Sequence, residues 1–281
     1  MSVYPDYRRV WTRYVAIGDS FTEGMSDPHP DDPDAFVGWA DRLARHLDRL
    51  AAAEHLPFGY ANLAVRGRTL DDVVGPQLDR ALTMGPDLVS MVGGGNDLLR
   101  PAVDVDGLAS RLEGAVVRLR ASGADVLLAT PTDTRDAGLF KALRGRHAVH
   151  AANLFSIAQR HGCHVLDLWG MASLRDWRMW AQDRIHLTTE GHRRVSLAAL
   201  TALGHETDVA EWATPLPAAE RADRRDELRQ HAEWARTYAG PWVQRRVRGT
   251  SSGDGRDAKR PRLEHVRDPD EVADHRSLPD A

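Results

Sequence analysis

Five short apolar runs, most of them halted abruptly by glycine or proline, constrain what this chain can fold into. They are Arg13 to Ile17, Phe58 to Ala64, Pro86 to Val92, Val126 to Ala129 and Cys163 to Leu168. The stretches between them carry helical periodicity. Phe36, Trp39, Ala40, Leu43, Leu47 and Leu50 mark one amphipathic helix, and Leu70, Val73, Val74, Leu78 and Leu82 mark the next. The second opens with Thr69 as a cap and Asp71 and Asp72 in its first turn. Further helices span Val105 to Ala121, a stretch ending near His161 at Gly162, and about Thr189 to Leu203. The Pro- and Asp-rich run from Asp27 to Asp34 reads as a loop. Strands this short and apolar are expected where helices cover both faces of a parallel sheet. In such sheets functional residues collect at the carboxyl ends of the strands. Ser20, Gly67 and Asn96 each lie just past a predicted strand, so all three are expected at one crevice.

The bulk properties exclude several classes. A net charge of -4 favours neither a nucleic-acid nor a membrane-surface partner. No uninterrupted apolar stretch is long enough to span a bilayer, and no apolar leader precedes the first strand. The single cysteine, Cys163, cannot form an intrachain disulfide, which fits a reducing compartment. A cytoplasmic protein acting on a small molecule is the expectation. Oligomeric state stays open.

Val15 to Gly24 reads as a strand delivering a serine to the edge of a sheet. A serine hydroxyl attacks only when an adjacent base takes its proton. Of the thirteen histidines, His186 stands out because Asp183 precedes it by three residues, in a loop. One turn of chain puts such a pair on the same side, so the carboxylate can hold the imidazole nitrogen that faces away from the serine. By itself the pair also reads as a helix-capping aspartate beside a surface histidine. Acyl transfer further needs donors aimed at the developing oxyanion. The Ser20 and Gly67 amides and the Asn96 side chain are candidates, and plain turn chemistry is the other reading of the glycines. Gly93-Gly94-Gly95 fits no phosphate-binding pattern. Asp19 and Asp97 are expected to hold turns, and Thr22, Glu23 and Gly24 to continue the serine turn.

Taken together, Gly18-Asp19-Ser20, Gly67, Gly95-Asn96-Asp97 and Asp183-x-x-His186 resemble the four sequence blocks of the SGNH (GDSL-type) esterase/lipase family. They occur in the family's order across about residues 10 to 205. The resemblance implies a three-layer α/β/α, flavodoxin-like fold with a five-stranded parallel sheet. It implies Ser20 as nucleophile, His186 as base and Asp183 as its orienting acid. Ser20, Gly67 and Asn96 would form the oxyanion hole, with no cofactor and no metal. The serine block reads Asp-Ser-Phe rather than Asp-Ser-Leu, a variation the family tolerates. An acyltransferase would share the acyl-enzyme, and a non-catalytic module binding an acylated glycan would share the fold.

Trp169, Trp177, Met179 and Trp180 read equally as a pocket wall or as loop core. His147, His150, His161 and His164 match no zinc spacing. His192 reads as a helix-face residue. Residues 1–210 are expected to form the hydrolase domain and 211–248 a helical extension, with Trp212 to Trp242 folding back on the core. The tail 249–281, rich in Gly, Ser, Asp and Arg, is expected to lack structure.

Overall fold

The five apolar runs become the five parallel strands of a central sheet in the computed structural model, which describes residues 9–217, 233–239 and 251–266. In chain order, β1 (Arg13–Ile17) leads into the one-turn α1 (Ser20–Glu23), a hairpin of β2 (Pro28–His29) and β3 (Asp32–Phe36), and α2 (Gly38–Ala53). Then come β4 (Gly59–Asn62), α3 (Leu70–Asp72), α4 (Leu78–Thr83) and β5 (Leu88–Met91). They are followed by α5 (Gly95–Leu98), α6 (Val105–Ala121), β6 (Asp125–Ala129), α7 (Arg144–His161) and β7 (His164–Leu166). The chain continues through α8 (Thr189–Ala202) and α9 (Val209–Ala213) to β8 (Arg260–Glu264).

The sheet order is β7-β6-β5-β1-β4-β8. Val15 pairs with Ala61 on one side and Val89 on the other, both parallel. Strand direction of winding therefore reverses beside β1, which places a crevice outside the ends of β1 and β5. Alternation along β1 splits the core: Tyr14 and Ala16 pack under α2 and α8, while Val15 and Ile17 pack under α3, α4, α6 and α7. Trp39, Leu43 and Leu47 are sealed against the sheet on the first side. Truncating one such leucine to alanine costs about 2–5 kcal/mol.

Three expectations change. The run 27–34 holds a short antiparallel hairpin, so Phe36 ends a strand and α2 begins at Gly38. Gly38 (φ 81°) lies against Gly24 (φ 93°) so closely that a Cβ on Gly24 would come within 2.6 Å of the Gly38 Cα. Two side chains cannot share that contact, and it locks α1 onto α2. The second helix is also not continuous: a π-helical turn spans Val73–Gln77 around Pro76, which has no N–H to give the regular ladder.

The third correction concerns the tail. Residues 251–266 are ordered, and β8 adds a sixth, antiparallel strand to the sheet edge at β4. Average polarity concealed its anchors. The Lys259 side chain is largely buried, its ammonium bonded to the Phe36 carbonyl at 3.0 Å and paired with Asp41 at 3.0 Å. Val266 is buried in the core, and Leu263 packs on Gly59. Residues 249–250 and 267–281 of the expected tail, and most of the expected helical extension 211–248, Trp242 included, lie outside the described residues.

Candidate active site

Ser20 opens α1 directly beyond β1, so its backbone N–H is among the leading donors that a helix cannot satisfy internally. Asp19 caps this turn, accepting from the Phe21 N–H at 3.1 Å. Gln77, at the end of the π-helical turn, clamps the preceding residue: its Oε1 accepts from the Gly18 N–H at 2.8 Å and its Nε2 donates to the Gly18 carbonyl at 2.9 Å. The widened turn around Pro76 thus delivers a side chain that fixes the strand end carrying the serine.

Gly67 follows β4 in a tight turn with φ 73°, a conformation that favours glycine. A Cβ there would also collide with the Ser251 hydroxyl of the C-terminal strap. Glu23, at the end of α1, holds the adjoining residue. Its carboxylate accepts from the Arg66 N–H at 2.6 Å and pairs with the Arg66 guanidinium, which also lies over the Phe36 ring. Asn96, in α5, ties the two turns together. Its Nδ2 donates to the Arg68 carbonyl at 2.9 Å and to Asp19 Oδ2 at 3.3 Å. Asp97 accepts from the Leu70 N–H at 2.8 Å, fixing the start of α3. Burial raises the Asp19 carboxyl to about 6, against the Phe21 N–H bond and the His186 charge, which lower it.

The fourth block lies in a loop after two short 3₁₀ turns. Asp183 Oδ2 and His186 Nδ1 are 2.6 Å apart, and Asp183 Oδ1 accepts from the Ile185 N–H at 2.9 Å and the His186 N–H at 3.0 Å. This bond requires the proton on Nδ1 and leaves Nε2 as the acceptor when the ring is neutral. Burial pushes the Asp183 carboxyl up, but the bond and charge of His186 and the two backbone donors outweigh it and hold it below the ordinary range. Arg184 and Ile185 line a cavity of about 210 Å³ together with Ser20 and Asn96. The remainder of its wall is largely apolar, with Phe21, Leu99, Phe140, Leu174, Trp177 and Trp180.

So the aromatic segment divides between both readings: Trp177 and Trp180 line the cavity, while Met179 is core. Trp169 stacks on Arg144. The other histidines go separate ways. His147 and His150 line the cavity, and burial pushes His150 down to about 4, so it is neutral there. His161 pairs with Glu113 and His164 bonds the Ala202 carbonyl. His192 is on a helix face, though a buried one: its Nδ1 accepts from the Trp39 N–H at 3.2 Å and its Nε2 donates to the Met25 carbonyl at 3.1 Å. The Gln77 clamp, the Glu23–Arg66 pair and the 2.9 Å bond from Trp234 Nε1 to the Asp183 carbonyl escaped the sequence reading, which expected only that the stretch from Trp212 to Trp242 folds back on the core. Pro76 inside a helical pattern was the one available signal for Gln77.

Among solved structures, LAE5, an α/β hydrolase enzyme from the metagenome of Lake Arreo in Spain, is 25% identical, with a TM-score of 0.58 over 69% of this chain and 95% of its own. Axe2, an acetylxylan esterase from Geobacillus stearothermophilus, is 20% identical, with a TM-score of 0.57 over 69% and 95%. TesA is 21% identical, with a TM-score of 0.54 over 68% and 97%. These likenesses carry the fold, an α/β/α sandwich. No curated protein matches the chain. The model of the GDSL-like lipase/acylhydrolase family matches residues 16–194, well over half the sequence, and spans all four blocks. The chain therefore belongs to the GDSL-like lipase/acylhydrolase family and is an ester-hydrolysing enzyme.

Proposed function

We propose that the protein hydrolyses carboxylic esters through an acyl-enzyme on Ser20. The observation that carries this reading is the short Asp183–His186 bond, in a loop whose neighbouring residues line the same cavity as Ser20 and Asn96. His186 Nε2 takes the Ser20 proton as Oγ attacks the ester carbonyl. The carbonyl π electrons move to oxygen, and the Ser20 and Gly67 amides with Asn96 Nδ2 stabilise that charge. For Asn96 Nδ2 the 3.3 Å contact to Asp19 is longer than the 2.9 Å bond to the Arg68 carbonyl, and the oxyanion replaces it. The imidazolium then protonates the departing alcohol. Water, deprotonated by the same nitrogen, attacks the acyl-enzyme and frees the acid. Asp183 keeps Nδ1 protonated and the ring oriented throughout. No step calls for a metal or cofactor.

The apolar cavity wall supports a substrate with a hydrocarbon acyl chain, as apolar pockets exclude water from such groups. A small-molecule ester and a cytoplasmic setting fit the single cysteine and mild charge. Hydrolysis of a nitrophenyl ester series, from acetyl to decanoyl, tests the reading, with Ser20→Ala as the control. Activity rising beyond acetyl and lost in the variant is the expected result. Equal turnover by Ser20→Ala would sink the serine mechanism.

A further inference from the structure

The family match ends at residue 194, yet a segment forty residues further on reaches back to the loop that carries His186. Trp234 is buried, 9% exposed. Its indole takes three neighbours at once. Nε1 donates to the Asp183 backbone carbonyl at 2.9 Å. One ring face meets the Arg184 guanidinium at 5.3 Å, and the Arg184 group also lies 5.2 Å from the Trp177 ring. Phe140 meets the indole nearly edge-on at 6.1 Å. Four residues later, the Tyr238 hydroxyl donates to Gln182 Oε1 at 3.1 Å. Residues 182, 183 and 184 are thus each held by the 233–239 segment.

The loop needs such a hold. Arg184 has φ 57°, a left-handed backbone that costs a non-glycine residue about 1 kcal/mol or more and persists where surroundings enforce it. The Asp183 carbonyl that Trp234 captures belongs to the peptide joining Asp183 to Arg184. That peptide belongs to the turn that aims the Ile185 and His186 amides at the Asp183 carboxylate, so turning it would displace those donors, and the imidazole with them. A partly buried carbonyl left without its donor would cost up to about as much as a lost hydrogen bond.

We propose that Trp234 is a positioning residue for the Asp183–His186 pair, so that the C-terminal extension is a working part of the active site. The proposal rests on the esterase reading of His186. Trp234 itself does not line the cavity; Arg184, Phe140 and Trp177 do. It acts through the Asp183 carbonyl and the Arg184 stack, and its effect belongs in kcat rather than in KM.

The test uses the full chain with Trp234→Phe, which keeps a ring against Arg184 and Phe140 and removes the N–H, and Trp234→Ala, which removes both. Ester turnover is measured beside the proton NMR signal of the His186 Nδ1–H, which the 2.6 Å bond to Asp183 moves far downfield. Trp234→Phe is expected to lower kcat about fivefold and Trp234→Ala about thirtyfold, with KM within about twofold of wild type. In both, the Nδ1–H signal moves upfield or broadens. Unchanged kcat in folded variants overturns the proposal, even if their melting temperature falls, because that is a purely structural role. A fall in kcat with an unmoved signal overturns it as well. If the wild type turns over no ester at all, the esterase reading fails, and the NMR signal still decides whether Trp234 sets the pair.

Discussion

Ser20 leaves a strand that is paired on both sides, whereas His186 sits in a loop twenty residues past the last parallel strand. On the side of Ser20, the proposed nucleophile, restraint comes from the fold's own frame: Gln77 clamps Gly18, Asp19 caps α1, Asn96 bridges to Arg68, and Glu23 grips Arg66. On the side of His186, the proposed base, there is an Asx turn at Asp183, a bridge between Trp180 and Leu187, and a bond from the Ala181 N–H to the His186 carbonyl at 2.8 Å. Further contacts reach it from residues 233–239, through Trp234 on the Asp183 carbonyl and Tyr238 on Gln182. The contrast teaches where precision comes from. A strand end inherits its position from the sheet, while a loop must be held contact by contact, and distant sequence can provide the contacts.

The comparison breaks first at the chemistry. Ser20→Ala and His186→Ala are each expected to lower kcat by about 10⁴-fold or more, and the double variant to be no worse than either, because groups acting as a unit are not additive. Steady-state kinetics of the three proteins checks this, and a clearly additive double variant would mean that the two sides act independently.

Glu23→Gln attacks the frame of the nucleophile side. It leaves Arg66 partly buried without its charge partner and is expected to cost about 3 kcal/mol in urea unfolding, with a loss of kcat because the Gly67 turn is loosened. A loss under about 1 kcal/mol would show that this side is not held by the ion pair.

Asp19→Asn sharpens the comparison through pH. The folded carboxyl titrates near 6, above its ordinary 3.8, because burial disfavours the charge. The folded state therefore binds the proton more tightly than the unfolded chain. The stabilisation this confers is full in acid and is lost as pH rises through about 6. Relative to wild type, Asp19→Asn should gain about 2.4 kcal/mol of stability between pH 4 and pH 7.5. Melts at the two pH values that differ by the same amount would rule this out. Smallest is Arg184→Gly, which loses the stack between Trp177 and Trp234 and relieves the left-handed backbone. The two effects offset, and thermal melting is expected to shift by less than about 1 kcal/mol.

The sequence made much of the nucleophile side legible, since apolar runs stop where Ser20, Gly67 and Asn96 begin. The Asp183–His186 pairing could be read from spacing because its geometry is local, although the same spacing also fitted a capping aspartate beside a surface histidine. Contacts that join remote segments were not. Gln77 meets Gly18 across 59 residues and Trp234 meets Asp183 across 51, and neither separation leaves a periodic trace. Lys259 lies in the tail that composition marks as lacking structure. Only the placement of Asp41, Phe36 and Val37 around it makes a burial site for an ammonium.

β8 has a consequence for how this protein meets copies of itself. The outer edge of β4 is a row of backbone donors and acceptors that another chain could extend, and such edges template association. The antiparallel strand Arg260–Glu264 occupies that row, and its own composition, with Arg260, Pro261, Arg262 and Glu264, discourages any further strand from joining. At the opposite margin β7 is only three residues long. The same tail that reaches the Gly67 turn thereby guards the sheet, so proteolytic loss of it would turn a self-limiting fold into one with an adhesive side.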